Sequence, residues 1–132
     1  NGKLKALDSW TEGRQRNARY YDEAFVRAGL AGKVETPVSA PGVRHIYNQY
    51  VIRAERRDAL RAHLAEQGVG SEVYYPVPLH QQQCFAYLGY KTGELPESER
   101  ASAVTLPLHI FPELALEQMQ HVVECVARFY QT

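Results

Sequence analysis

The sequence is poor in cysteine and has no excess of charge of either sign. Its two cysteines, Cys84 and Cys125, form neither a Cys-x-x-Cys pair nor a Cys/His spacing typical of zinc. We therefore predict no metal site, and we expect both thiols to be reduced and partly buried in a cytoplasmic protein. The 15 basic residues balance 15 acidic ones, which removes the attraction on which nucleic-acid binding depends, so no nucleic-acid partner is expected.

The sequence also lacks an apolar run long enough to cross a membrane and lacks a signal peptide, so we expect no membrane partner. Its only methionine is Met119, and we expect the chain to be part of a longer protein. Hydrophobic residues make up 45% of the 132 residues, which is enough for a folded domain with its own core.

The first part of the chain is predicted to be a long amphipathic helix. Apolar residues recur near the helical period over residues 4–28. Ser9 and Glu12 have the spacing of a capping box, and Gly13 has a poor helix propensity, so a break is expected near the beginning. Gly29 follows the last of these residues as a stop signal, so the helix is expected to end there.

The remaining pattern predicts an α/β (α+β-like) domain with about three strands flanked by helices. Strands are predicted at 45–54, 71–75 and 104–108, and helices at 56–67, 96–103 and 116–130.

One connection carries the residues most suited to contacting a ligand. Two prolines, Pro76 and Pro78, restrict its backbone and would present Tyr75, His80 and Gln81 rigidly. An equally acceptable interpretation is a rigid connector whose histidine bonds to the backbone. His109 is interpreted as a structural histidine. No nucleophile elbow, Walker loop or carboxylate pair is present, so no catalytic residue is predicted.

An ordered series of short motifs along the whole chain resembles the C-terminal half of the DegT/DnrJ/StrS family. The segments that carry the resemblance are HIYNQYVIR from His45 to Arg53, YYPVPLH from Tyr74 to His80, LGY at Leu88 to Tyr90, LPL at Leu106 to Leu108 and FPEL at Phe111 to Leu114.

The resemblance implies the small C-terminal domain of a fold-type I, aspartate-aminotransferase-like enzyme. Residues 1–30 would then be the linking helix that leads from a large domain, and residues 31–132 would be the small domain. Such enzymes use pyridoxal phosphate to move an amino group from glutamate to a nucleotide-linked keto-sugar, and they are usually homodimers. The lysine that binds the cofactor would lie in a large domain outside this chain, because Lys3, Lys5, Lys33 and Lys91 have no such motif. The chain alone is expected to be inactive and to hold neither cofactor-binding nor catalytic residues.

The resemblance also implies substrate-binding residues. His80 is the first candidate, Gln81 and Tyr75 are its neighbours, and Asn48 on the predicted strand is a further candidate. At the last helix, family members usually place Thr or Ser where this chain has Ala115, so that helix is expected to lack a capping acceptor.

Two alternatives remain open at this point. The parent could be a sugar dehydratase of the same family, in which a histidine replaces the lysine. The chain could instead be a non-catalytic domain that binds a small molecule or a partner protein. The apolar residues Leu4, Leu7 and Trp10 argue against the second alternative, because they are suited to contact with another domain. The particular nucleotide sugar and the carbon that is aminated are not indicated.

Overall fold

The computed structural model describes residues 2–131, which form a three-stranded antiparallel sheet with helices on both faces. The elements are α1 (Leu7–Arg27), β1 (Val34–Glu35), β2 (Tyr50–Ala54), α2 (Arg57–Glu66), α3 (Pro96–Val104), β3 (Thr105–Leu108) and α4 (Leu116–Gln131). Short 3-10 turns occupy Lys3–Ala6, Leu79–Gln81 and Gln83–Leu88. The strand order is β1-β2-β3, with Val34 opposite Ala54 and Tyr50 opposite Leu108. The predicted fold class is confirmed.

The core lies between one face of the sheet and the helices α1, α2 and α4. Alternate residues of β2 point into it, because successive side chains of a strand face opposite ways. Most apolar residues of α4 are also buried, although Leu116 is exposed. The largest enclosed side chains are Tyr21, Tyr50, Ile52, Leu60, Leu64, Leu106 and Val126.

The second face of the sheet is only partly covered. Val51 is half-buried and Arg53 is exposed on this face. Helix α3 packs against β2 there, and the chain before α3 runs beside it. The two faces therefore differ, with a closed apolar core on one and a partly open surface on the other.

One predicted strand is shorter than expected, and another is not a strand. The strand predicted at 45–54 begins only at Tyr50, because Tyr47 has a φ of 47°, which no strand residue adopts. Residues 71–75 are not a strand, and β1 is the third member of the sheet instead. Both sides of β2 are occupied, and Pro107 lacks the N–H that would pair a neighbour on the outer side of β3.

The predicted first helix changes from a 3-10 turn to α1 at Leu7, close to the expected break, and α1 then continues through Gly13. Ser9 does not cap a new helix, since its hydroxyl donates to the carbonyl of Ala6 at 2.9 Å. Gly13 is accommodated because it lies against the loop after β3: a Cβ built there would be 2.8 Å from the Cβ of Pro112. The glycine serves close packing of α1 on that loop.

Helix α4 begins without an acceptor at its N-cap position, as the sequence predicts. The exposed Ala115 has no side-chain oxygen, but the Gln118 Oε1 accepts its backbone N–H at 3.1 Å. One half of a capping box is therefore present.

Among residues 2–131, no helix has the length and apolar character needed to cross a membrane.

Candidate functional site

The loop between α2 and α3 presents two of the predicted site residues to solvent. Gly68, with a φ of 77°, ends α2, and residues 69–95 then contain no helix or strand apart from the two 3-10 turns. Tyr75 is 68% exposed and Gln81 is exposed. Both side chains are accessible to a ligand.

His80 lies beneath the same loop rather than on its surface. Its side chain is 5% exposed, and its Nε2 is 3.1 Å from the Oε1 of Glu99 on α3. The edge of the His80 ring meets Tyr90, with 6.0 Å between ring centroids. This histidine is held by side chains, which differs from the alternative in which it bonds to the backbone.

Glu99 connects His80 to a second part of the loop. Its two carboxylate oxygens accept the backbone N–H of Gly93 at 2.8 and 3.0 Å. The hydrogen bond from Gly93 and then that from His80 lower the pKa of Glu99 below its usual range. Glu99 is therefore a carboxylate at neutral pH.

Ser102, one turn further along α3, fixes the beginning of the loop. Its hydroxyl contacts the carbonyl oxygens of Tyr75 at 3.0 Å and of Pro76 at 2.8 Å. Because residues three apart share a helix face, Glu99 and Ser102 together fasten the loop to one side of α3.

Tyr75 lines a small depression of about 260 Å³ on the open face of the sheet. Pro78 and Leu79 of the loop form one wall, and Ser98 and Ala101 of α3 form another. His80 and Gln81 are not among its lining residues, so the loop turns these two side chains to other directions.

Asn48 lines a separate, larger cleft of about 560 Å³ where β2 begins and β3 ends. Arg14 reaches the cleft from α1, with its Nε donating to the carbonyl of Ile46 at 2.9 Å. Glu72 also lines the cleft, but it pairs with Arg61 at 3.3 Å. Asn48 therefore lies among polar groups that could hold a hydroxylated or anionic ligand.

The structure thus divides the predicted site residues between two places. Tyr74 lines both the Tyr75 depression and the Asn48 cleft, and it lies between them. Arg14, Tyr74 and the exposed His109 line the Asn48 cleft but were not predicted as site residues. The interpretation of His109 as a structural histidine was wrong, since no hydrogen bond to it occurs within residues 2–131. Arg14 and Asn48 are far apart in the sequence, so no local sequence pattern could indicate that they line the same cleft.

His45 and Tyr47, which precede β2, contact each other. The Nδ1 of His45 accepts the backbone N–H of Tyr47 at 3.0 Å, and the two rings are 4.2 Å apart. The expectation for cysteine was only half right, because Cys125 is buried but Cys84 is exposed. No group of three potential metal ligands occurs within residues 2–131.

Comparisons with known proteins agree on one family. The sequence model of the DegT/DnrJ/EryC1/StrS aminotransferase family matches residues 1–127. A pleiotropic regulatory protein of Geobacillus stearothermophilus is 49% identical over 129 residues, which are 98% of this chain and 34% of that protein. The dTDP-3-amino-3,4,6-trideoxy-alpha-D-glucose transaminase of Streptomyces venezuelae is 36% identical over 124 residues, 94% of this chain and 32% of that protein.

Solved structures give the same result. DesV of S. venezuelae, in complex with a ketimine intermediate, matches with a TM-score of 0.89 and 33% identity, covering 98% of this chain and 34% of DesV. An aminotransferase from Brucella abortus matches with a TM-score of 0.84 and 34% identity, covering 99% of this chain and 34% of that structure. The chain spans about a third of the length of these relatives.

Proposed function

Because the chain belongs to the DegT/DnrJ/EryC1/StrS aminotransferase family, as its motifs indicated, we propose that it is the small C-terminal domain of a sugar aminotransferase. The intact enzyme would use pyridoxal phosphate to transfer an amino group from glutamate to a nucleotide-linked keto-sugar. The observation that carries this proposal is the family match over residues 1–127. Relatives named as transaminases of dTDP-linked and UDP-linked amino sugars support the substrate class.

The residues of this chain do not fit a complete cofactor site. The cofactor supplies an electron sink and requires a lysine amine to bind it covalently. All four lysines are exposed, none lines the Asn48 cleft or the Tyr75 depression, and Lys33 is paired with Glu55 at 3.1 Å. The cofactor lysine therefore belongs, in this proposal, to a large domain, and this chain alone is inactive.

The proposed contribution of this chain is to bind and orient the sugar nucleotide. Tyr75, His80 and Gln81 of the loop and Asn48 of the cleft are the proposed contacts. The shared border at Tyr74 supports this, since an elongated ligand could extend from the loop into the cleft. The proposal places the intact enzyme in the cytoplasm as a homodimer.

The domain boundary is also part of the proposal. Residues 1–30 would lead from the large domain and residues 31–132 would form the small domain. The exposed Leu4 and Leu7 support a contact with the large domain, whereas Ala18, Tyr21 and Phe25 already belong to the small domain's core. The linking helix is therefore shared between the two parts.

An absorbance spectrum of the purified chain with added pyridoxal phosphate tests whether the cofactor lysine lies outside this chain. We expect no band of lysine-bound cofactor and no lysine labelled after borohydride reduction. A reducible band with one labelled lysine would contradict the proposal. The full-length protein should in turn aminate a nucleotide-linked keto-sugar with glutamate as donor.

A further inference from the structure

The carboxylate of Glu99 determines which hydrogen-bonding form His80 adopts. An ionised carboxylate can only accept hydrogen bonds, and the pKa of Glu99 is lowered by its bonds from Gly93 and His80. The 3.1 Å contact between Glu99 Oε1 and His80 Nε2 therefore requires a hydrogen on Nε2. A neutral His80 then has its lone pair on Nδ1.

The Nδ1 of His80 is not fully enclosed by the protein. Within residues 2–131 it has no hydrogen-bond partner, and it is not among the enclosed polar atoms without a partner, which are the hydroxyl oxygens of Tyr21 and Ser71. The small exposed fraction of His80 therefore includes Nδ1. This nitrogen is the hydrogen-bond acceptor of the ring because the contact with Glu99 keeps the hydrogen on Nε2.

We propose that Glu99 is a positioning residue that holds His80 in its Nε2–H form, so that Nδ1 accepts a hydrogen bond from a hydroxyl group of the ligand. The identity of that ligand, a nucleotide-linked sugar, rests on the proposed function. Glu99 itself touches no substrate in this arrangement and acts through His80.

The surroundings of the pair favour a fixed arrangement. Gly93 binds both oxygens of Glu99, which prevents rotation of the carboxylate. Ser102 holds the carbonyl groups of Tyr75 and Pro76 from the same face of α3. The His80 ring and the start of the loop are therefore already held in place, and they lose little conformational freedom when a ligand binds.

The tautomer of His80 can be read directly from the ¹⁵N-labelled 132-residue chain by long-range ¹H–¹⁵N NMR. At mildly alkaline pH, where imidazoles are neutral, we expect the wild-type chain to show the Nε2–H form. Glu99→Gln places a carboxamide that can donate to Nε2, so the Nδ1–H form should become populated. Glu97→Gln, on an exposed residue of the same helix, should leave His80 unchanged.

Steady-state kinetics of the full-length enzyme test the consequence for the ligand. We expect Glu99→Gln to raise KM for the nucleotide sugar about tenfold, the factor of one neutral hydrogen bond between a ligand hydroxyl and Nδ1. The kcat and the absorbance of the bound cofactor should change little, and Glu97→Gln should match the wild type.

Each outcome decides a separate point. A wild-type chain mainly in the Nδ1–H form overturns the proposal without any variant, and so does an unchanged tautomer in a folded Glu99→Gln chain. A changed tautomer with unchanged KM removes the positioning role but leaves the proposed function intact. A wild-type enzyme that aminates no nucleotide sugar overturns the proposed function, whereas the tautomer still decides whether Glu99 controls His80.

Discussion

Two buried tyrosines, Tyr21 and Tyr50, have rings whose centroids lie 5.1 Å apart, but their hydroxyls have different surroundings. The Tyr50 hydroxyl donates to Asp22 Oδ1 at 2.6 Å, whereas that of Tyr21 is enclosed without a partner. Burial raises the pKa of both phenols, and the bond to Asp22 raises that of Tyr50 further.

This contrast predicts opposite results for the same substitution. Tyr50→Phe should lower the free energy of unfolding by about 1–2 kcal/mol, because a buried hydrogen bond is lost. Tyr21→Phe should leave stability unchanged or increase it, because it removes a buried polar atom that has no partner. Urea denaturation of both variants measures the difference. Equal losses would contradict the assignment of hydroxyl surroundings.

Gly13 is a second residue whose role is decided by one neighbour. Gly13→Ala should destabilise the chain by about 1–3 kcal/mol, because the new methyl would overlap Pro112. This loss opposes the gain of about 1 kcal/mol that Ala normally brings to a helix. Urea unfolding of Gly13→Ala should be compared with the exposed Glu12→Ala, which is expected to be nearly neutral. A stabilised Gly13→Ala would show that α1 can move away from the loop.

The sequence predicts His80 as a site residue but gives no sign of its hydrogen-bond partner, Glu99. His80 stands in a recognisable motif, yet Glu99 follows it by 19 positions and looks like any surface glutamate of a helix. The same limit applies to Arg14 and Asn48, which meet only through the fold. Sequence patterns identify residues with suitable chemistry, whereas partners depend on packing between elements.

At the scale of elements, the beginning of α4 offers a direct test of capping. Ala115→Thr should raise the free energy of unfolding by about 1 kcal/mol, because its hydroxyl would complete the capping box with Gln118. Ala115→Val has the same shape without an acceptor and should give no such gain. Thermal unfolding compares the two, and equal midpoints would show that Gln118 alone satisfies this helix end.

The connection between α3 and the loop should also depend on pH. Glu99 has a lowered pKa in the folded chain. Its contribution to stability is therefore complete above the usual glutamate pKa range and is lost as the pH falls through the lowered pKa. Amide exchange of Gly93, measured by NMR and corrected for intrinsic rates, should accelerate on acidification. Glu99→Gln should remove this transition; a persistent transition would assign it to another group.

Helices were predicted more accurately than strands for a physical reason. The bounds of α2 and α4 follow from apolar spacing and from stop signals such as Gly68. The strand β1 has two residues, Val34 and Glu35, too few for any alternation to be recognised. The segment 71–75 has the composition of a strand but pairs with none of the three strands described. A local sequence pattern reveals the period of a helix, but it does not reveal the strand with which a segment pairs.

At the scale of the whole molecule, the start of α1 and the 3-10 turn before it carry apolar surface that the core does not use. Leu4 is 67% and Leu7 is 46% exposed. We expect the isolated chain to self-associate with increasing concentration, because exposed apolar groups on neighbouring turns favour contact.

The double variant Leu4→Glu/Leu7→Glu should reduce this association in analytical ultracentrifugation. Val26→Glu changes an exposed apolar residue near the other end of α1 and serves as the control. Equal effects of the two variants would mean that association does not involve the N-terminal surface.

The fastening of the loop to α3 has a consequence for engineering. Because Glu99 and Ser102 hold residues 75–93 from one helix, the loop and α3 constitute a single exchangeable cassette. Grafting the loop alone from a relative would leave its anchors mismatched, whereas moving residues 74–104 together would transfer the anchors with it. A chimera that exchanges this loop should therefore be cut at the start of β3, after the helix that carries Glu99 and Ser102.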